Sequence, residues 1–428
     1  MGIYDQILES VSLPKMYRIK QDFDREYICD ISGAVRKEIY GFPEIAEVRG
    51  KEIALAVGSR GISNLPQIVK TTVDVLREQG AEVFIVPAMG SHGGAVAENQ
   101  KKILAHLGIS EETMGVEVRA TMETVCIGYT PEGVPVYFDK NAAGADYTVS
   151  IARIKPHCSF RGKYESGMVK MSVIGLGKQK GADYCHMKGM ANMGVNLEKI
   201  GRVHMEKSNL LFCLGLMENA YDDTCMIRAF GRGQIMTEEP ALLERAKSYL
   251  PRIPFKNLDI LIVDEIGKNI TGTGMDCNII QRFTSEHMPA QPFTKRLVVL
   301  DLTEESDGNA SGLGLADIAS RRAFDKMSFA KTYPNNLTAR TTAGCKVPMI
   351  MENDFDAIRA GIKTAPDVDY SAVRAVRIKN TLRLDEMEIS EALVDEAKSM
   401  EKISGEWEGF YWRFDGQGNL TERSEEHK

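Results

Sequence analysis

The alternation of apolar and polar positions over residues 51–107 predicts a strand, a helix, a second strand and a second helix. KEIALAVGS (51–59) is an apolar run as long as a buried strand, and AEVFIVPA (81–88) is another. Between them, SNLPQIVKTTVDVLREQG (63–80) carries apolar residues at helical spacing and ends in a glycine suited to the position after a helix. The second helix is predicted over 97–107. Two parallel strands joined by a helix form a right-handed βαβ unit.

The same alternation continues through the first half of the chain. YTVSIARIKP (147–156) predicts a strand, MSVIGLG (171–177) predicts a short buried segment, and a helix that carries His186 follows. NLLFCLGLMENAYDDTCMIRAFG (209–231) predicts two strands around the polar turn Glu218–Thr224, and a helix is predicted over 238–250.

The second half starts with LDILIVDEIG (258–267), an apolar run that predicts a strand and leads into a Gly-rich loop. Four segments continue the α/β alternation: 296–303, 313–327, 372–380 and 389–400. GEWEGFYWRFDGQGNL (405–420) predicts a closing hairpin with FDGQGN as its turn.

These elements predict an α/β protein with two α/β domains and mainly parallel sheets. The chain has 428 residues, which is too long for one ordinary core and sufficient for two. We expect the boundary near Pro251 and Pro254, with an N-terminal α/β domain over 1–253 and a C-terminal α/β domain over 254–428.

The composition of the chain argues against several classes of function. A net charge of −7 argues against non-specific nucleic-acid binding, which needs clustered basic surface. No apolar run reaches the ~20 residues of a membrane helix, and the N-terminus lacks the layout of a signal peptide. The eight cysteines are scattered without a CxxC pair, so we expect reduced and mostly buried thiols. The sequence predicts a cytoplasmic protein with no membrane partner.

Candidate chemistry collects in three loops that follow predicted strands: VGSRGISN, AMGSHGGAV and KPHCSFRGKYESGMVK. Ligands of open α/β sheets bind at the carboxyl ends of the strands. Two of the seven histidines, His92 and His157, fall in these loops, and His186 follows the third. The loops also hold Arg60 and Lys170, and their glycines let the backbone approach a ligand. None has P-loop or GxGxxG spacing, so an ordinary ATP or NAD site is not predicted.

These side chains leave three hypotheses open. His92, His157 and His186 could be the three protein ligands of a zinc hydrolase or lyase, although HExxH spacing and an obvious partner carboxylate are missing. Alternatively, two imidazoles act as acid and base while the third binds a metal, because imidazole titrates near neutral pH. A non-catalytic binding protein is the third hypothesis, and the pair of candidate bases speaks against it. Each residue also has an ordinary surface or capping role as its simplest explanation.

The ordered set of motifs resembles the nickel-dependent lactate racemase family. The resemblance covers most of residues 50–280 and rests on five pieces in order: Ser59-Arg60, His92 in AMGSHGG, Pro156-His157, Ser166-Gly167-Met168-Val169-Lys170, and His186 sixteen residues after the lysine. Each piece is weak alone, and the ordered set is fairly specific.

The resemblance implies a racemase or epimerase that inverts C2 of a 2-hydroxy acid by hydride transfer to and from a nickel-pincer nucleotide. This cofactor, a nickel-bound pyridinium-3,5-bisthiocarboxylic acid mononucleotide, would be tethered covalently to Lys170. His186 would bind the nickel, and His92 and His157 would be the acid/base pair. Cofactor and substrate would lie in the interdomain cleft, and other proteins would make and insert the cofactor.

The remaining implied roles concern the phosphate and the carboxylate. Ser59, Arg60, Gly162, Ser166 and Gly167 would contact the cofactor, with the glycine-containing loop holding its phosphate. Arg60 would also orient the substrate. Substrate candidates in the second domain are Gln281, Arg282 and Lys268.

Two departures from the family pattern concern the substrate. The family's usual Asp three residues before the arginine is Val57 here, and the position three residues after Gln281 is Thr284 rather than lysine. We therefore expect a 2-hydroxy acid other than lactate, either larger or polyhydroxylated. The sequence leaves the oligomeric state open.

Overall fold

The structure is a computed structural model that describes residues 3–58, 61–187, 189–285, 288, 293–338 and 341–421. The chain divides into two units. The central unit comprises residues 24–250, and the split unit comprises residues 1–23 together with 251–428. The predicted boundary at 253 lies close to this division, but the first 23 residues belong to the other unit.

The strands of the described residues are β1 (Met16–Gln21), β2 (Glu52–Val57), β3 (Glu82–Pro87), β4 (Thr124–Tyr129), β5 (Pro135–Asp139), β6 (Tyr147–Arg153), β7 (Leu210–Glu218), β8 (Thr224–Gly231), β9 (Leu258–Val263), β10 (Thr294–Val299), β11 (Ile318–Ser320), β12 (Met349–Met351), β13 (Ala375–Ile378), β14 (Glu386–Ser390) and β15 (Ile403–Phe410).

The α-helices are α1 (Ile3–Leu8), α2 (Ile31–Tyr40), α3 (Leu65–Glu78), α4 (Ala97–His106), α5 (Glu111–Met114), α6 (Lys140–Gly144), α7 (Met168–Lys170), α8 (Lys178–His186), α9 (Met193–Lys207), α10 (Arg232–Tyr249), α11 (Cys277–Ile280), α12 (Arg321–Asp325), α13 (Phe329–Thr338), α14 (Asp354–Thr364) and α15 (Val394–Lys398). No described helix combines the length and the apolar character needed to cross a bilayer.

The central unit contains a five-stranded sheet in the order β3-β2-β6-β7-β8. The first four strands are parallel, and β8 runs antiparallel to β7. The predicted βαβ unit is confirmed, with Ile53 opposite Val83 in the pairing of β2 and β3. Strands β4 and β5 form a separate two-stranded sheet.

Helix α3 shows why the apolar pattern was informative. Its apolar positions are buried against the sheet, including Ile68, Val69, Val73 and Leu76. Full burial of such a side chain contributes roughly 1.5–3 kcal/mol relative to leaving it exposed. The buried Thr72 hydroxyl donates to the carbonyl of Ile68 at 2.7 Å, so its polar atom has a partner.

The segment that carries Lys170 and His186 is one broken helical run. Helix α7 ends at Lys170, a π turn covers Met171–Gly175, and α8 continues from Lys178 to His186. The predicted buried segment and the predicted helix carrying His186 are both confirmed. π turns of this kind occur frequently at functional sites.

The split unit contains an eight-stranded sheet in the order β12-β11-β10-β9-β13-β14-β1-β15. The first five strands are parallel, and the last three add antiparallel pairs. Strand β1 takes its place here with apolar residues buried on both faces of the sheet, Met16 fully and Ile19 nearly so. This pairing of distant segments moves residues 1–23 out of the first domain.

Three predictions for the second half need correction. Residues 313–327 divide into a 3₁₀ turn, strand β11 and helix α12, and residues 389–400 contain the end of β14 before α15. The closing hairpin is also wrong in its pairing, because β15 pairs with β1. Its turn remains, closed by a bridge between Phe414 and Leu420. All eight cysteines are free thiols and four of them are buried, fewer than expected.

A buried histidine of the central unit has no polar partner among the described residues. His204 lies on α9 with no exposed surface, and neither ring nitrogen makes a hydrogen bond there. Its ring packs edge-on against Phe138 at 5.7 Å. Burial lowers the pKa of His204 from 6.5 to about 3, so the ring is neutral in the folded protein at neutral pH.

We expect His204→Leu to reduce the loss of stability in mild acid. The unfolded chain binds the imidazole proton near pH 6.5 and the folded chain does not, so this site destabilises the fold as pH falls from 6.5 toward 3. Between pH 7.5 and 5.5, the variant should lose about 1 kcal/mol less unfolding free energy than the wild type. Denaturant titrations at both pH values measure it, with His106→Leu on the exposed face of α4 as control. An equal loss in wild type and His204→Leu would contradict the account.

Candidate active site

Three neighbouring parallel strands bring the candidate loops to one edge of the central sheet. In the order β3-β2-β6, the loop with His92 follows β3 and the loop with His157 follows β6. The loop after β2 contains Ser59 and Arg60, which lie outside the described residues. Because the strands are parallel, their carboxyl ends share one edge, as predicted from the sequence.

His92 begins a 3₁₀ turn and has an exposed side chain. Gly93 and Gly94 follow with φ of 69° and 68°, a left-handed backbone that favours glycine. The buried amide of Gln100 on α4 donates to the carbonyls of Gly90 and His92, each at 3.0 Å. The turn is therefore held by its own glycines and by a side chain from the following helix.

A buried lysine connects this turn to the segment that carries His186. Lys178 is fully buried at the start of α8, and its ammonium donates to the carbonyl of Pro87. The same Nζ lies 3.3 Å from Gln100 Oε1 and 3.0 Å from Asp139 Oδ2. Burial lowers the pKa of Lys178, and the Asp139 carboxylate opposes that shift. No pattern in the sequence predicted this residue's role.

The loop after β6 is closed by a backbone bridge between Lys155 and Ser166. Within it, Ser159 N–H donates to Nδ1 of His157 at 3.1 Å, and the Phe160 ring lies 4.4 Å from the imidazole. A neutral imidazole that accepts at Nδ1 carries its proton on Nε2. The neighbouring contacts thus fix both the tautomer and the orientation of His157.

The side chain of Glu165 holds the same loop in place. Its buried carboxylate accepts the backbone N–H of His157 at 2.8 Å. Arg161 and Lys247 each place a nitrogen 3.3 Å from this carboxylate. The paired cations make the burial of the charge tolerable.

Lys170 is half-buried at the end of α7, and its charge acts on the thiol of Cys185, the residue before His186. Burial raises the pKa of Cys185 to about 12, and the Lys170 ammonium opposes this shift only in part. Cys185 is thus a thiol at neutral pH, packed 3.5 Å from the sulfur of Met193. The Lys170 ammonium is therefore close enough to act electrostatically on the residue that precedes His186.

The π turn after Lys170 packs directly on the loops that follow β2 and β3. Gly90 N–H donates to the carbonyl of Gly175 at 3.2 Å. A Cβ on Gly175 would lie 2.8 Å from the Ala88 carbonyl oxygen, and one on Gly58 would lie 2.9 Å from Met171 Cε. These close approaches bring the lysine-bearing segment to the same sheet edge as His92.

The glycines predicted to hold a phosphate instead make room for protein atoms. A Cβ on Gly162 would lie 2.9 Å from the Cα of Gly194, and one on Gly167 would overlap the carboxylate of Glu239. Glu239 Oε2 accepts the N–H of Val169 at 2.8 Å, so a carboxylate occupies the start of α7. The N–H of Val169 thus already has a carboxylate partner, and the phosphate contact by Gly162 and Gly167 stays a prediction. Ser166 uses its backbone N–H and carbonyl in the bridge to Lys155.

The loop after β2 has its own anchor. Glu218, at the end of β7, accepts the N–H of Ser63 at 2.7 Å and pairs with Arg153 at the end of β6. Sequence reasoning assigned Glu218 to a polar turn, whereas its side chain is almost completely buried. The anchor ties the first and third loops to the same strand.

The second-domain candidates are not brought together. Lys268 follows β9, and its ammonium donates to the carbonyl of Gly272. Arg282 lies 2.7 Å from Asp317 at the start of β11, which is the opposite edge of that sheet. Gln281 adopts a left-handed backbone with φ of 53° and donates to Asn278. The ion pair of Arg282 argues against its use as the substrate cation.

The histidines do not assemble into a metal site by themselves. Among the described residues, which include His92, His157 and His186, no group of three or more His, Cys, Asp or Glu side chains is arranged to hold a metal ion. Zinc in a catalytic site needs three protein ligands. The zinc hydrolase hypothesis therefore has no preformed set of three ligands among the described residues.

Residues 48–197 match the family model of the lactate racemase N-terminal domain. Over this range, about a third of the chain, the sequence is similar to that domain. The matched range includes the three loops, Lys170 and His186, and there the family resemblance seen in the sequence is confirmed. The match supports a racemase-family function for the chain, at the level of the domain.

Solved structures that are similar to the chain include two proteins from thermophilic bacteria. The lactate racemase apoprotein from Thermoanaerobacterium thermosaccharolyticum is 15% identical, with a TM-score of 0.43 over 67% of this chain and 74% of that one. A protein from Thermotoga maritima is 14% identical, with a TM-score of 0.42 over 63% of this chain and 69% of that one. No curated protein matches the chain in sequence.

Glu239 gives the lysine-bearing helix a pH-dependent contact. It is fully buried, and Oε1 has no hydrogen-bond partner among the described residues. Burial raises the pKa of Glu239 from 4.5 to about 7, against the hydrogen bonds from Val169 and Met168. The folded protein therefore binds this proton more tightly than the unfolded chain. Its contribution to stability is present at low pH and is lost as pH rises from about 4.5 through 7.

We expect Glu239→Gln to remove that dependence, because the amide keeps an acceptor for Val169 N–H and carries no charge. Relative to the wild type, the variant should gain about 2 kcal/mol of unfolding free energy between pH 5.5 and 8. Denaturant titrations at the two pH values measure the difference, with the half-exposed neighbour Glu238→Gln as control. A constant difference across this range would show that the carboxyl is charged throughout.

Proposed function

We propose that the chain is a racemase or epimerase of a 2-hydroxy acid that uses a nickel-pincer nucleotide. The observation that carries the proposal is the convergence, at one sheet edge, of two histidine-bearing loops with the segment that bears Lys170 and His186. Two candidate bases on separate loops suit a reaction that must act on both faces of one carbon. The acid would be larger than lactate or polyhydroxylated.

The residues present fit the cofactor at its lysine and its metal ligand. Lys170 Nζ would bond the nucleotide and the His186 imidazole would bind nickel, a metal that imidazole suits. The absence of three clustered protein donors among the described residues agrees with a metal whose other ligands come from the cofactor. When bound, the cofactor supplies the hydride acceptor and donor. Its phosphate must be held by groups other than the N–H groups at the start of α7, because Glu239 occupies them.

The two histidines would move the hydroxyl proton. With Nδ1 accepting Ser159 N–H, Nε2 of His157 carries the ring proton and would be the nitrogen that donates a proton toward the substrate oxygen. His92, held on its glycine turn, would remove the hydroxyl proton on the other face. Each imidazole contributes on the order of 10²–10⁴ to such a rate. Arg60 would orient the substrate carboxylate.

The proposal for the substrate rests on the residues of this chain that differ from the family pattern. Val57 is fully buried in the core of the central unit, so it offers no polar group to a small hydroxy acid. Thr284 is also buried. With Arg282 paired to Asp317, Lys268 and Gln281 are the second-domain candidates that remain for the carboxylate or additional hydroxyls.

The cellular setting follows from the cofactor. We propose that the chain works in the cytoplasm with the proteins that make and insert the nucleotide. Its partners would be these proteins and a small-molecule hydroxy acid. Produced without them, the chain should be an apoprotein.

The first test is the covalent attachment. The chain, co-produced with a nickel-pincer biosynthetic set, should show a nucleotide-sized mass increment and one nickel per chain. Lys170→Ala should lose both, because the amine that forms the bond is gone. Intact mass spectrometry and metal analysis measure this, with the exposed Lys163→Ala in the same loop as control.

Two outcomes would contradict the proposal. Nickel retained with full turnover in Lys170→Ala would show that the tether is not this lysine. Stoichiometric zinc without any adduct in the wild type would restore the hydrolase or lyase hypothesis, with His92, His157 and His186 as ligands.

A further inference from the structure

We infer that Gln100 is a positioning residue for His92, held in the required orientation by the buried ammonium of Lys178. The inference rests on the acid/base role proposed for His92. It concerns a side chain that touches neither substrate nor cofactor in this account, and that acts through the backbone of the turn.

The hydrogen bonds of Gln100 are directed at the turn itself. Its Nε2 donates to the carbonyls of Gly90 and His92, both at 3.0 Å, so the two N–H groups bracket the residues before and at the histidine. The side chain is fully buried. Its amide therefore exchanges no hydrogen bonds with water, and losing it leaves two carbonyls without their donor.

Lys178 decides which way the amide points. An amide could present either its oxygen or its nitrogen to the turn. The ammonium 3.3 Å from Oε1 can only donate, so it selects the orientation in which Nε2 faces the two carbonyls. The other two donors of the ammonium are used by Pro87 and Asp139, so all three partners are protein groups.

The same lysine opens the helix that ends at His186. The network therefore joins the turn that carries one proposed base to the helix that carries the proposed metal ligand. A hydrophobic side chain at position 100 would fill the space on the buried face it shares with Leu104, but it could not set this geometry. That difference separates a positioning role from simple packing.

The test compares Gln100→Met with the wild type, using Gln67→Met on the exposed face of α3 as control. Methionine keeps the volume and leaves Lys178 paired with Asp139 and Pro87, so the fold should persist. Hydrogen exchange of the apoprotein should become about tenfold faster over residues 88–96 and stay unchanged over 168–186. The Lys170 adduct should form as in the wild type.

Turnover supplies the second reading, on whichever enantiomer of lactate, malate, mandelate or gluconate the loaded wild type inverts fastest. We expect kcat to fall about tenfold or more with KM within about twofold, because a misplaced base slows proton transfer without weakening binding. Unchanged exchange over 88–96, or unchanged kcat in a fully adducted variant, would overturn the inference. A wild type without adduct would overturn the proposed function instead, and the exchange result would still decide whether Gln100 holds the turn.

Discussion

The candidate site depends on one buried ion pair, between Lys178 and Asp139. Both side chains are removed from water, and their charged atoms lie 3.0 Å apart. Losing one partner of such a pair costs roughly 3–5 kcal/mol, because the other charge stays buried. Lys178 also adopts a left-handed backbone with φ of 55°, which is uncommon for a residue with a Cβ. The hydrogen bond to Pro87 and the ion pair with Asp139 offset this strain and fix where α8 begins.

Three other buried carboxyl groups also hold the segments around the site in place. Glu218 holds the loop after β2, Glu165 holds the backbone of His157, and Glu239 holds the start of α7. Each is a buried carboxyl anchor beneath a loop whose glycines would otherwise allow many conformations. Preorganised loops of this kind let side chains act without reorganising at the moment of reaction. The glycine at 167 serves such an anchor, since a larger residue would collide with Glu239.

The sequence predicted the elements that are determined by local apolar patterns. It missed the features that depend on contacts between segments far apart in the chain. The βαβ unit from β2 to β3 followed from apolar periodicity, and the ordered motifs located the three loops, Lys170 and His186. Strand β1 was missed because its partners β14 and β15 lie more than 360 residues away along the chain. Lys178 and Glu239 were missed because the neighbouring sequence does not indicate whether an ionisable side chain is buried. Gln100 had one available signal, since it shares a helical face with Leu104, and both are buried.

The most direct test of the account is isotopic. The loaded protein would be incubated in D₂O with single enantiomers of lactate, malate, mandelate and gluconate, and the recovered acids examined for configuration and for deuterium at C2. The account predicts inversion of at least one acid other than lactate, with the original hydrogen retained at C2, because the hydride leaves and returns within one active site. Inversion accompanied by deuterium at C2 would contradict hydride transfer, and loaded protein that inverts none of these acids would contradict the assignment to this reaction.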